Sequence, residues 1–284
     1  MIFFTDRNEE PVRVGRHSQA SLLSALTLAL LLSFPALAFS FSAAVKTVLD
    51  GDSIILTNGT KVRYFGVNTP EYKQPFAEEA KQFNTQLVRG KEVEVVPAKK
   101  KRDGYGRLLA YVSVNDSLIN ARLLEEGLAY LFTFGPFAHY EEWLALQQRA
   151  QAQHKGMWKE GVFGPLKITT LHANAKGNDR KNLNGEYVRV CNVSAKPVEL
   201  AGFVVKDVAM HEYTFPAGTL EPGYTALLLS GAGDQQRRGG QLIFHWNAGS
   251  PIWNNDADTA FLFDPDGRRI DTFQFQKRWR RRSR

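Results

Sequence analysis

The hydrophobic pattern divides the chain into three stretches of different rhythm. Leu22 to Phe39 is an apolar run interrupted only by Ser, Thr and Pro. Residues 45–114 then read mostly as strands. Lys61 to Val67 is a strand candidate entered through Asn58-Gly59, a pair suited to a hairpin turn because both positions need positive φ. Phe76, Ala80, Phe83 and Leu87 share one helical face and predict a helix over Phe76–Val88. Lys91–Val96 alternates as a strand, and Asp103-Gly104 turns the chain into a further strand, Leu108–Val114. Ser117 is placed to cap a short helix ending at Gly127. A longer helix is predicted over Phe137–His154, closed by Gly156 and the apolar Met157-Trp158. After Trp158 the helical period disappears. A Gly/Pro-containing linker leads to short β-rich runs, among them Ala201–Lys206, Thr225–Ser230, Ala260–Asp264 and Ile270–Phe275. Turn pairs Pro222-Gly223, Asn254-Asn255 and Asp266-Gly267 divide them. Many short strands over about a hundred residues predict a β-sandwich.

Length and charge refine this picture. The 284 residues suit about two domains. A hydrophobic content of 43% with 23% charged residues is ordinary for folded protein and excludes a disordered chain. The net charge is +7, but residues 277–284 carry six of those charges. Arg7, Arg13 and Arg16 are balanced by Asp6, Glu9 and Glu10, so the body between keeps a net charge of one. Nucleic-acid binding would therefore need a local patch. Arg13, Arg16 and His17 before the apolar run, with Ala36-Leu37-Ala38 or Ser42-Ala43-Ala44 after it, predict a cleaved export signal over residues 1–43. Cys191 is the only cysteine, which excludes an internal disulfide; its place in Tyr187–Cys191 predicts a small buried hydrophobe.

Three short segments carry the candidate chemistry. Asp50-Gly51-Asp52 alone is common turn chemistry. Asn68-Thr69-Pro70-Glu71 alone reads as a helix start, with Thr as cap and Pro in the first position. Tyr105-Gly106-Arg107 alone is a hairpin with an exposed Arg. In this order, with Arg63 before the second, they combine carboxylates, a threonine and two arginines. A hard cation takes oxygen ligands, and a phosphoryl transition state takes fixed positive charge. Lys99-Lys100-Lys101-Arg102, just before the third segment, is either a solvated loop or a patch that steers phosphates. The six histidines are scattered without metal-ligand spacing, so zinc is not expected.

The runs Val48–Ser53, Val62–Glu71 and Asp103–Tyr111, followed by Leu123–Ala129 and Lys155–Trp158, closely resemble the thermonuclease (staphylococcal nuclease) family over residues 44–160. The resemblance implies an α+β OB-fold: a five-stranded barrel with three helices, suited to a groove for single strands. It implies that Asp52 and the Thr69 carbonyl bind Ca2+, and that Asn68 stands where the family has an aspartate ligand. One ligand charge fewer predicts a weak calcium site. Glu71 would be the general base. Arg63 and Arg107 would bind phosphate and stabilise the transition state. Tyr105 would line the nucleotide site, with Lys99, Lys100 and Lys101 on the substrate path. Phe132, Thr133 and Phe134 depart from the family's nucleotide-stacking tyrosines. Residues 161–167 form the linker. Residues 168–276 resemble the lamin tail domain, an all-β immunoglobulin-like sandwich, through Asn184–Val188, Leu200–Phe203, Tyr213–Pro216, Leu220–Gly223 and Trp253–Ala260. That resemblance implies an accessory module for a surface or polymer ligand, without chemistry of its own.

The expectation is a secreted or periplasmic, calcium-dependent endonuclease of DNA and RNA, of the micrococcal type, with a basic tail at 277–284. Two alternatives stay open. One is a barrel that binds nucleic acid without cutting it, its metal site degenerate through Asn68. The other is a surface protein whose sandwich is the working part. Retention of Glu71 separates the first alternative, because binding alone needs no positioned base.

Overall fold

The structure, a computed structural model, describes residues 40–159 and 164–276. The expected export signal lies outside the described residues up to Phe39, and so does the basic tail. Strand β1 (Phe41–Val48) begins inside the 1–43 segment and pairs Phe41–Ala44 with the chain around Val95. Strands β2 (Ser53–Leu56) and β3 (Lys61–Tyr64) follow it antiparallel. The predicted strand Lys61–Val67 breaks at Phe65-Gly66, and Val67–Asn68 continues as a separate strand, β4. β5 (Glu92–Arg102) runs six residues beyond the expected Val96, and β6 matches Leu108–Val114.

The parallel pairing of β3 with β6, Val62 to Leu108 and Tyr64 to Ala110, closes the order β3-β2-β1-β5-β6 into a barrel. Closure leaves no open sheet edge and forces alternate side chains inward. Along β6 the even-numbered residues are accordingly the buried ones, with Ala110 and Val112 fully enclosed. Three helices cover the barrel: α1 (Ala77–Val88), α2 (Ile119–Glu125) and α3 (Tyr140–Ala152). They bury Ala80, Leu123 and Trp143 in one core with Ile54, Val62 and Val95.

All three helix starts differ from expectation, α3 beginning at Tyr140 and not at Phe137. Phe76 adopts φ 65°, which cannot begin a right-handed helix, so α1 starts one residue later. Ser117 caps nothing: Ser117–Leu118 forms the short strand β7 against Val114 and Ser113, and Leu118 precedes α2 without a side-chain cap. A backbone ladder took the residue that local chemistry assigned to a cap. β8 (Tyr130–Leu131) pairs with β4.

The second domain begins at β9 (Leu166–His172), two residues inside the segment read as a linker. It continues with β10 (Tyr187–Asn192), β11 (Val198–Glu199), β12 (Val204–Lys206), β13 (Glu212–Thr214), β14 (Thr219–Leu220) and β15 (Thr225–Leu229). β16 (Gln236–Arg238), β17 (Gln241–His245), β18 (Ala257–Phe263) and β19 (Arg269–Gln276) complete it. One sheet has the order β16-β17-β15-β10-β9, the other β13-β12-β18-β19. Val188, Leu228 and Phe244 from the first share a core with Val205, Leu262 and Trp253.

The two domains touch directly. Thr133 donates its N–H to the Gly223 carbonyl at 2.9 Å, and Gly240 donates to the Phe134 carbonyl at 3.0 Å. Gly223 has φ 76°, and a Cβ there would lie 2.7 Å from Leu131 Cγ, so the contact depends on glycine. Cys191 is fully buried at this junction beside Tyr130, Met157 and Val193. Burial pushes its thiol well up, as expected of an inert packing residue. Among the described residues no helix is long and apolar enough to cross a membrane.

Candidate active site

The hairpin between β1 and β2 presents Asp52 to the mouth of the barrel. Its backbone reverses at Gly51, where a Cβ would stand 2.7 Å from Thr69 Cγ2 and Oγ1 and 2.8 Å from Ala80 Cβ. Only glycine lets the hairpin approach Thr69 so closely. Asp52 is 4% exposed. Its Oδ2 accepts the Thr69 N–H at 2.8 Å and the Thr69 hydroxyl at 3.1 Å. The same oxygen lies 3.0 Å from Arg63 Nη2, and Oδ1 accepts from Ser53 Oγ at 3.1 Å. The helix-start reading of Thr69 therefore does not hold: its hydroxyl serves Asp52, and α1 begins eight residues later.

Arg63 is 8% exposed, on β3 opposite Ser53 and Leu109. Nη1 donates to the Tyr64 carbonyl at 2.6 Å and the Val67 carbonyl at 2.8 Å; Nη2 donates to Asn68 Oδ1 besides pairing with Asp52. A guanidinium has five donors, so Nε alone is left uncommitted. Asn68 uses both ends of its amide, because Nδ2 donates to the Tyr130 hydroxyl at 2.5 Å. In this arrangement its Oδ1 is already held by the Arg63 guanidinium, whose positive charge opposes a cation there.

Arg107 is more available. The turn before it is an Asx turn in which Asp103 Oδ1 accepts from Tyr105 N and Arg107 N, both at 2.9 Å. Asp103 Oδ2 takes Arg107 Nε at 2.7 Å, and Arg107 Nη1 reaches Ser53 Oγ at 3.4 Å. Burial pushes the Asp103 carboxyl up, but the bonds from Arg107 outweigh it and hold the group below its usual range. Tyr105 is 74% exposed, with the Arg107 guanidinium 5.6 Å from its ring centre. Lys99, Lys100 and Lys101 are exposed near the end of strand β5, where Lys100 Nζ stands 5.9 Å from the Phe134 ring centre.

Glu71 stands at the lip of this recess, with its N–H bonded to Gln74 Oε1 at 2.9 Å. Its side chain reaches solvent, yet the protein crowded around it and the charge of Asp52 push its carboxyl up; Arg63, Arg107 and Lys167 oppose them. Lys167 belongs to the sandwich, buried on β9 with Nζ 3.5 Å from Asp271 Oδ1. Glu71 and Tyr72 also face β18 and β19 across a cleft of about 990 Å3, whose far wall includes Asp258, Phe273 and Phe275. The second domain thus forms one side of the site.

The donor set can be tested against a calcium ion. Among the described residues no three His, Cys, Asp or Glu side chains converge tightly enough to hold a metal unaided. Oxygen donors are concentrated all the same: the Asp50 and Asp52 carboxylates, the Asn68 amide and the Thr69 carbonyl. Such a set suits a hard cation completed by water rather than zinc. Crowding, with Asp52's charge beside it, pushes the Asp50 carboxyl up to about 7. Burial is the larger cause, and a divalent cation would relieve the Asp52 repulsion that adds to it; the oxygen donor set fits the ion.

The structure gathers Asp52, Arg63, Asn68, Thr69, Glu71 and Arg107 around one recess, with Tyr105 and the lysines on its approach. Asp50, Ser53, Asp103, Tyr130 and Lys167 were not assigned roles from sequence. The Asx-turn signal could have found Asp103. Tyr130 and Lys167 reach the site from 62 residues beyond Asn68 and from another domain, and no local pattern marks them.

Residues 61–160 match the staphylococcal nuclease homologue family and residues 161–277 match the lamin tail domain. The barrel also uses β1 and β2, which precede the first match. The chain is 35% identical over 124 residues to a thermonuclease of Staphylococcus hyicus, covering 40% of this chain and 73% of that protein. It is 37% identical over 134 residues to endonuclease YncB of Bacillus subtilis (strain 168), covering 43% and 64%. It is 32% identical over 158 residues to protein ParB of Escherichia coli, covering 51% and 88%. Closed barrel, three covering helices and these matches together make the chain a member of the staphylococcal nuclease homologue family, with a lamin tail domain following its nuclease fold.

Proposed function

We propose that this protein is an exported, calcium-dependent nuclease that hydrolyses phosphodiester bonds of DNA and RNA. The observation that carries the reading is the convergence of Asp52, Arg63 and Arg107 around one recess with Glu71 at its lip. Likeness to proteins named thermonuclease and endonuclease supports it.

Each residue has a part in the chemistry. Glu71, as a carboxylate, takes a proton from a water aligned with the scissile phosphorus. Attack breaks the P–O5′ bond, the departing O5′ takes a proton from solvent, and a 3′-phosphate and a 5′-hydroxyl result. Arg107, with Nη2 uncommitted among the described residues, contacts a phosphate oxygen. Arg63 is fixed beneath the recess and stabilises developing negative charge through its net charge and Nε. Asp52, Asp50, the Thr69 carbonyl and, on release from Arg63, the Asn68 amide would hold calcium. A bound calcium ion supplies Lewis-acid polarisation of the phosphoryl oxygen. Lys99, Lys100, Lys101 and Tyr105 receive the strand on its way in. For export, cleavage after Ala38 leaves β1 whole, whereas cleavage after Ala44 would remove half of it.

One observation favours a second reading. With Asn68 engaged by Arg63 and Tyr130, the barrel could bind nucleic acid without a competent metal site. The test is incubation of the chain with single-stranded DNA and RNA, with and without a calcium chelator, and analysis of product ends. Calcium-requiring cleavage to 3′-phosphates supports the enzyme; binding with no cleavage at any calcium level leaves the binding module.

A further inference from the structure

Arg189 sits on β10 of the sandwich but stacks on the nuclease domain. Its guanidinium carbon lies 4.5 Å from the ring centre of Phe134 and 5.9 Å from that of Tyr187. Phe134 is 40% exposed and has Lys100 Nζ at 5.9 Å. Tyr187 in turn stacks flat on His172, rings 4.9 Å apart. Interface packing accounts for the stacked guanidinium plane. It does not account for Arg189 Nη1, which is enclosed without a well-formed hydrogen bond, although the Tyr187 side chain lies close enough to favour the arginine's charge. Burial penalises such a donor until an acceptor completes it.

The location narrows the acceptor. Tyr187 is near enough to Tyr105 to affect its hydroxyl, and Tyr105 flanks Arg107. A cationic nitrogen without a well-formed hydrogen bond therefore sits beside exposed rings and a lysine, along the approach to the recess. Alternating cations and open aromatic faces bind single strands, because unpaired bases offer π-faces while phosphates take the charge. A duplex hides those faces.

We propose that the lamin tail domain contributes a subsite to the nuclease groove, in which Arg189 takes a phosphate and Tyr187 packs beside a base of single-stranded nucleic acid. The inference rests on the nuclease reading for the identity of the ligand. It assigns the sandwich a direct part in substrate binding, at the place where Phe132 and Phe134 depart from the family's tyrosines.

The test uses the full chain carrying Glu71→Gln, without calcium, and a fluorescent single-stranded oligonucleotide. Arg189→Met should weaken binding about tenfold and reduce the log–log salt slope by about 0.7, the value of one phosphate contact on a single strand. Arg189→Lys should restore the slope. Unchanged affinity and slope in a folded Arg189→Met chain would overturn the proposal. Crosslinking of a 4-thiothymidine strand to the Glu71→Gln chain needs no interface variant. Adducts on the peptide holding residues 187–189 are expected, and adducts confined to the barrel would overturn the proposal. Cleavage by the unaltered chain is scored separately. Its absence would sink the nuclease reading alone, since binding is read without turnover.

Discussion

Asp52 and Arg63 form the most enclosed charged pair of the recess, with side chains 6% and 9% exposed. Removing the arginine leaves the carboxylate without its countercharge. Arg63→Met should therefore destabilise the protein by about 3–5 kcal/mol, read by urea denaturation; a cost below about 1 kcal/mol would mean the pair is not load-sharing in the folded state. Asn68→Asp adds a ligand charge to those of Asp50 and Asp52, and the calcium concentration for half-maximal activity should fall about tenfold. No change would show that position 68 stays with Arg63 and Tyr130 throughout. Glu71 must be ionised to act as base, and its surroundings raise its pKa. In the calcium-free protein its carboxyl, followed by carbon NMR, should therefore titrate above the usual glutamate range, and a bound cation should lower it. Lys167→Met removes a charge that lowers Glu71 and should move that titration higher still; titration at the ordinary glutamate value in both calcium-free proteins would contradict this electrostatic picture.

At the scale of elements, the site depends on close approach of two loops. Gly51→Ala would drive a methyl group into Thr69 and Ala80, costing about 1–3 kcal/mol and lowering activity more than stability alone explains, because Thr69 is displaced from Asp52. Thermal melts paired with single-turnover rates check it, and wild-type rates in the variant would refute the packing argument. The barrel strands and α1 were legible in sequence because one face of each is buried, which fixes a period. β6 matched its expected span residue for residue. Ser117 failed as a cap because Val114 and Ser117 close a two-residue hairpin whose Asn115 and Asp116 both take positive φ, a local turn signal that outweighs the cap. The second segment was misread for a different reason: Thr69 finds its partner 17 residues upstream.

For the whole molecule, the sequence separated two domains but gave no sign of how they meet. The junction is assembled from Gly223, Cys191 and Val193 of one domain and Leu131, Tyr130 and Gln147 of the other, contacts that no periodicity marks. Its consequence is a candidate active site walled by the lamin tail domain, through Lys167 and the cleft beside β18 and β19. Cys191 reports on this junction. Its thiol should resist alkylation in the native protein and react only on opening, at a rate that falls as stability rises; rapid stoichiometric labelling of the native chain would show that the domains do not stay in contact.

The central claim is that Glu71 works as a base in a calcium-supported recess. Its most direct test is the rate of single-stranded DNA cleavage by the chain and by Glu71→Gln, titrated from chelator to saturating calcium, with DNA affinity measured alongside. The account predicts calcium-requiring cleavage in the first and a loss of about 10²–10⁴-fold in kcat in the second, with affinity retained. DNA binding by both proteins with equal cleavage, or with none at any calcium concentration, would contradict it.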